Sequence, residues 1–305
     1  MKSIKRLMVA LDLSDMDRTL VQYAFFLAET IDLKHLDFVT VDEQMDESDQ
    51  QILAELNLQV SPEVNFKDWV DELTKEHAKP DHVDVGCHLL TGSPLHELLR
   101  YARDESVDMI LVGAKQHQDG TGILSSRLVR KAPCSVMYVP ENPPTAIKRI
   151  LIPTDYSEYS RMAFDEVKLF KDDFPDVEVV AQHVYRVPLG FYKTGKSYEE
   201  FAQIMEENSK KLFDQFVEEN DLADMDLKPQ FVLDDDKNPA DKIVAQAEAE
   251  KVDLMIISAK GHTRASSILL GSTTEKVLRL DKRIPVMILK KKGETLNLLD
   301  ILLKI

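Results

Sequence analysis

A short run near the amino end, Ile4-Lys5-Arg6-Leu7, returns 143 residues later as Ile147-Lys148-Arg149-Ile150, and its surroundings return with it. Asp12, Ser14 and Arg18 recur in the same register as Asp155, Ser157 and Arg161. Further on, Val107-Asp108-Met109-Ile110-Leu111-Val112 recurs as Val252-Asp253-Leu254-Met255-Ile256-Ile257, and Ala114-Lys115 as Ala259-Lys260, now at an offset of 145. Such a period is the size of a whole domain rather than of a solenoid repeat. The 305 residues therefore spell one domain twice.

Within each copy the hydrophobic pattern alternates between strand and helix. Leu7 to Leu11 and Ile150 to Pro153 are unbroken apolar runs, as expected of parallel strands covered on both faces. Leu20, Ala24, Leu27 and Ile31 in one copy, and Ala163, Val167 and Phe170 in the other, keep the three-to-four spacing of a buried helix stripe. A second helix in each copy opens on a capping residue followed by proline, Ser93-Pro94 and Asn238-Pro239. Strand and helix in alternation predict an α/β chain of two doubly wound parallel-sheet domains in tandem. Pro140 to Thr145, with its two adjacent prolines, divides residues 1–140 from residues 147–292, and residues 293–305 form an apolar tail expected to dock on the chain or on a second copy. The copies share little sequence in their acidic middle segments, about 42–80 and 186–220.

Several functions are disfavoured by charge and composition. A net charge of −16 repels nucleic-acid backbones and anionic membranes, so neither is expected as a partner. There is no apolar run of spanning length and no signal-peptide pattern, which predicts a cytoplasmic protein. Two cysteines, Cys87 and Cys134, in strand-like segments do not make a disulfide framework. His77, His82 and His88 near Cys87 lack the spacing of a zinc site, and the acidic runs Asp42 to Asp49 and Asp234-Asp235-Asp236 read as solvated loops. No Gly-x-Ser-x-Gly elbow precedes a helix, so no hydrolytic nucleophile is identified and no catalytic residue is assigned.

Ligands of open α/β sheets sit beyond the carboxyl ends of the strands, where strand order reverses. Three segments of the second copy reach that place: Thr154-Asp155 after the first strand, Ser258-Ala259-Lys260-Gly261 after the strand ending at Ile257, and Gly271-Ser272-Thr273-Thr274-Glu275 opening a helix. Ser272 with Glu275 has the form of a capping box. Glycines admit close backbone approach to a phosphate, and a helix amino end adds free N–H donors. Lys260, His262 and Arg264 could add positive charge.

Asp155, Asn238-Pro239, the strand Val252 to Ile257, Gly261-x9-Gly271-Ser272-Thr273 and Ile284-Pro285-Val286-Met287 together resemble the universal stress protein family, whose motif is G-x-x-G-x9-G-[ST]. The resemblance covers essentially the whole chain, twice, and implies a HUP/Rossmann-like fold. It also implies ATP, with Mg2+, in the second domain. Carried over position by position, Thr154 and Asp155 would lie by the base or ribose, Val184 would wall the adenine, and Ser258, Gly261, Gly271, Ser272 and Thr273 would contact ribose and phosphates. Ser258 departs from the family, standing at the first glycine. The first copy departs further. Only eight residues separate Gly113 from Gly122, and Ile123 stands at the first hydroxyl position, so this copy is not expected to bind ATP in the family manner. The implied role is that of a stress-response sensor or adaptor with an unidentified protein partner, slow ATP hydrolysis at most, and room for a homodimer. The alternative is a scaffold that binds a protein or an apolar small molecule without nucleotide.

Overall fold

The structure, a computed structural model, describes residues 4–42, 62–75, 80–114, 121–261, 270–281 and 283–291. The chain divides into two compact units between Asn142 and Pro143, inside the proline-containing connector. The first unit runs β1 (Arg6–Ala10), α1 (Met16–Thr30), β2 (His35–Asp42), α2 (Pro62–Thr74), β3 (Asp84–Thr91), α3 (Pro94–Asp104), β4 (Met109–Ala114), α4 (Thr121–Lys131) and β5 (Ser135–Pro140). Its strands pair in parallel in the order β3-β2-β1-β4-β5.

The second unit repeats this plan with β6 (Arg149–Pro153), α5 (Glu158–Asp173), β7 (Glu178–Tyr185), α6 (Tyr198–Glu219), β8 (Leu227–Leu233), α7 (Pro239–Ala249), β9 (Leu254–Ser258), α8 (Ser272–Leu280) and β10 (Val286–Leu289). Its parallel order is β8-β7-β6-β9-β10. In each unit strand order reverses at the first strand, between β1 and β4 and between β6 and β9. The doubly wound architecture expected from the alternating pattern is therefore present in both units.

The apolar runs are central because both faces of these strands are covered. Leu7, Met8 and Val9 are buried, as are Ile150, Leu151 and Ile152, and Leu254 to Ile257. Burying such a side chain fully contributes roughly 1.5–3 kcal/mol. The helix stripes read from spacing, Leu20-Ala24-Leu27 and Ala163-Val167-Phe170, are buried as well. The repeated aspartates have a shared task. Asp108 Oδ2 accepts the backbone N–H groups of Lys5 and Arg6 at 2.9 and 3.0 Å, and Asp253 Oδ2 accepts those of Lys148 and Arg149 at 2.7 and 2.9 Å. Each carboxylate thus ties the start of the fourth strand to the start of the first.

The expected helix caps need correction. Pro94 and Pro239 do open α3 and α7, but neither Ser93 nor Asn238 caps its helix through the side chain. The Asn238 amide instead donates to Asp241. Cys134 is buried and Cys87 half-buried, and neither is in a disulfide. Among the described residues no helix is long and apolar enough to cross a membrane, and no three His, Cys, Asp or Glu side chains converge as a metal site would require. The tail at 293–305, most of the acidic run 43–49, and His77, His117, His262 and Arg264 lie outside the described residues.

Candidate functional site

At the β6–β9 reversal of the second unit, the loop after β6 is held by its own side chains. Thr154 extends the β ladder by donating its N–H to Gln182 O at 2.8 Å, and His183 Nδ1 lies 2.9 Å from Thr154 O. The Thr154 hydroxyl accepts the N–H of Tyr156 at 3.1 Å, so this buried threonine shapes the turn with both its carbonyl and its hydroxyl. Tyr156 takes a left-handed backbone, φ 62°, which sends the chain sharply into α5. Ser157 caps that helix by accepting the N–H of Ser160 at 3.2 Å.

Asp155 is oriented from below. Its Oδ1 accepts the Ser160 hydroxyl at 2.6 Å and the Ser157 N–H at 3.1 Å, while its own N–H donates to Ser160 Oγ at 3.1 Å. Its Oδ2 faces Gly261, so closely that a Cβ at position 261 would overlap it. The carboxylate at the end of β6 and the backbone after β9 are therefore in direct contact, and only glycine leaves room for that contact.

The third segment is anchored to the second. Gly271 donates its N–H to Ala259 O at 2.7 Å, and a Cβ on Gly271 would lie 3.3 Å from that same oxygen. Thr274 Oγ1 donates to Ser258 O at 2.9 Å. These two bonds pin the head of α8 to the end of β9. The capping box expected from Ser272 and Glu275 does not form, because α8 begins at Ser272 itself and Gly271 holds the cap position without a side chain. The first N–H groups of α8 consequently have no intrahelical acceptor, and the residue at the cap position offers them no side chain. Ser272 is exposed and Thr273 half-buried at this end. Ser258, at the first glycine position, turns its hydroxyl inward to Lys260 O at 2.7 Å. Lys260 itself carries its ammonium over the Tyr159 ring, 5.4 Å from the centroid. Val184 is half-buried on β7, one residue beyond His183.

Two features escape spacing arguments. The Tyr156 ring stacks on His183 at 4.4 Å and packs against Phe213 and Phe216 of α6, with its hydroxyl donating to Ser209 O at 3.2 Å. Burial, reinforced by the charge of Asp214, pushes this phenol's pKa above its ordinary value, so it remains protonated. The other is Ser160, whose counterpart 143 residues earlier is Asp17; that mismatch was the one sequence signal that could have marked it.

The first unit builds the same turn differently. Leu13, like Tyr156, is left-handed at φ 59°, and Thr40 Oγ1 donates to Leu11 O at 3.0 Å where His183 meets Thr154. Here the fully buried Asp17 accepts the N–H groups of Asp12 and Leu13 at 3.3 and 2.8 Å. Asp12 Oδ1 accepts the Ser14 hydroxyl at 2.6 Å. Met16 fills the place beside Gly113, its Cγ 2.6 Å from where a Cβ would stand. What remains is a cavity of about 40 Å³ lined by Asp12, Met16, Gly113, Leu124 and Ser125, among others. Ser125 still donates to Gly113 O at 3.2 Å, matching Thr274 and Ser258.

Comparison with known proteins agrees with this duplicated plan. The model of the Universal stress protein family matches twice, over residues 3–140 and 146–290. Universal stress protein MJ0577 of Methanocaldococcus jannaschii is 32% identical over 174 residues, which is 52% of this chain and 99% of that protein. The solved structure of PA1789 from Pseudomonas aeruginosa, described as functionally unknown, is 18% identical, with 100% of this chain and 99% of that one covered at a TM-score of 0.63. A universal stress protein from Archaeoglobus fulgidus is 14% identical, with 95% and 97% covered and the same TM-score, 0.63. These two structures support the fold of the whole chain. The double match to the family model goes further: the chain belongs to the universal stress protein family and carries the family's domain twice.

Proposed function

We propose that the second domain binds one ATP at the β6–β9 reversal and that the protein acts as a nucleotide-dependent sensor or adaptor rather than as an efficient enzyme. The observation that carries this reading is the contact of Asp155 with Gly261 beside the uncapped head of α8. It brings a fixed carboxylate acceptor for sugar or base hydroxyl and amino groups next to exposed backbone donors for phosphate. Val184 supplies an apolar wall on the neighbouring strand, and Thr273 adds a hydroxyl at the helix head.

The metal would ride mainly on the phosphates, because among the described residues Asp155 is the one carboxylate of the cradle and its Oδ1 already accepts from Ser160 and Ser157. Bound Mg2+ would neutralise phosphate charge. The chain's own part is to orient the nucleotide. No described side chain of the cradle is set up as a general base, which favours signalling by occupancy over turnover.

In the first domain, Met16 packs beside Gly113, and the loop N–H groups of Asp12 and Leu13 go to the buried Asp17 carboxylate, where their counterparts in the second domain go to the neutral hydroxyls of Ser160 and Thr154. A fixed anion beneath the loop opposes a second anion above it. We therefore assign that domain a structural role.

The test is the thermal unfolding of the full chain with and without ATP and Mg2+. A ligand held at 100 times its dissociation constant stabilises by about 2.7 kcal/mol. The reading predicts an upward shift that Asp155→Ala and Gly271→Asp abolish. No shift in the wild-type protein overturns it.

A further inference from the structure

At the carboxyl end of the β7–β8 pair, two turns leave the sheet side by side: Tyr185 pairs with Leu233, and Asp234 donates its N–H to Tyr185 O at 2.7 Å. The turn after β7 holds Leu189 and Tyr192, 91% and 68% exposed, the two most exposed large apolar side chains among the described residues. Gly190 and Gly195, at φ 89° and 75°, bracket a single 3-10 turn, and Phe191 anchors it on α6 with ring centroids 5.6 Å from Tyr198 and 6.3 Å from Phe201. The apolar side chains are thus presented outward on a fixed base. Around them stand Arg186, Lys193 and Lys196, all exposed, with no acid between Arg186 and Ser197 and no ion pair to their side chains among the described residues.

The turn after β8 carries the opposite charge. Asp235 and Asp236 have side chains 61% and 55% exposed and share one lysine, Lys242, at 2.6 and 3.8 Å. Asp234 is buried, its Oδ1 accepting the N–H of Asn238 at 2.8 Å. Excess negative charge therefore lies beside an unpaired positive turn.

We propose that this end of the β7–β8 pair is a self-association surface whose occupant is a second copy of the chain. In the two-fold arrangement the cationic turn of one protomer meets the acidic turn of its partner, with Leu189 and Tyr192 buried at the centre. A two-fold interface requires a patch that complements itself, and one carrying both signs around exposed apolar side chains meets that requirement. An exposed Tyr and Leu beside an Arg fit the apolar and aromatic centre of an interface, with the lysines and aspartates as its polar rim. At −16 per chain the approach of a second copy is repulsive over most of the surface, which confines docking to a place such as the cationic turn where opposite charges meet. Anionic lipid or nucleic acid would use the cations but leave the neighbouring acidic turn opposed.

Sedimentation velocity of the full chain over a micromolar concentration range tests this. The expected result is a dimer whose dissociation constant rises at least about tenfold in Leu189→Glu/Tyr192→Glu, in Lys193→Glu/Lys196→Glu and in Asp235→Lys/Asp236→Lys. The last two variants, mixed, re-form a heterodimer because each supplies the charge that the other has reversed. Circular dichroism checks that every variant is folded. A monomeric wild type, a dimer indifferent to the substitutions, or a mixture that stays monomeric each overturns the proposal. So does binding of a wild-type monomer to phosphatidylserine vesicles in place of self-association.

Discussion

The carboxylate of Asp155, at the end of β6, lies against the Cα of Gly261, just after β9, so closely that no larger residue fits at 261 without displacing it. Gly261→Ala therefore does more than remove a flexible residue. Overpacking of this kind costs about 1–3 kcal/mol, and here it falls on the group proposed to meet the nucleotide. The expected outcome is a weakening of ATP binding by at least about tenfold, or 1.4 kcal/mol, with a small loss in melting temperature. Calorimetric titration of the variant checks it; unchanged affinity would show that the contact is incidental.

Ser160 and Asp17 hold the same loop position with opposite consequences. Ser160→Asp brings the first domain's arrangement into the second, placing a buried carboxylate under Asp155. The first domain folds with that residue, so the variant is expected to keep its circular dichroism spectrum and to lose its ATP-induced shift. Retained ATP binding would remove the argument that Asp17 closes the first domain to nucleotide.

Leu13 is 57% exposed and left-handed at φ 59°, a conformation that costs a non-glycine residue roughly 1–2 kcal/mol. Little packing is lost on trimming so exposed a side chain. Leu13→Gly is expected to stabilise the first domain by up to about 1 kcal/mol, after the larger backbone entropy of glycine is subtracted. The chain has one tryptophan, Trp69 on α2, so its fluorescence during urea unfolding reads this domain directly. A lowered midpoint would contradict the strain.

Asp281 follows α8 with its side chain fully buried; Oδ1 accepts the Arg283 N–H at 2.9 Å, and Oδ2 has no hydrogen-bond partner among the described residues. Burial raises this carboxyl above its ordinary 3.8, outweighing the backbone N–H groups of Arg283 and Ile284 that pull it down. A raised folded value means the folded state keeps the proton to higher pH. The stability contributed is full below about 3.8 and is lost as pH rises through the folded value. Ala132 stands at the matching place in the first domain. The stability difference between Asp281→Ala and wild type should therefore move in the variant's favour between pH 4 and pH 7, read by urea unfolding at each pH. An identical difference at both would refute the assignment.

The duplication, the doubly wound order and the buried stripes were legible because they rest on periodicity, which burial enforces residue by residue. The helix heads were legible only in part. Pro94 and Pro239 mark their helices because the ring fixes φ, but Ser93, Asn238 and Ser272 do not cap them, since a cap depends on a side-chain rotamer that spacing does not determine. Ser258 stood out as a departure, yet its inward bond to Lys260 O could not be read from its position. The Tyr156–His183 stack joins residues 27 apart through a left-handed turn, and no local pattern encodes such a meeting.

The central claim is that two copies of one domain provide a single nucleotide site. Native mass spectrometry of the full chain with ATP and Mg2+ tests it most directly. The account predicts one nucleotide per chain, retained in Asp12→Ala and lost in Asp155→Ala. Two nucleotides per chain, none, or loss on substitution of Asp12 would contradict it.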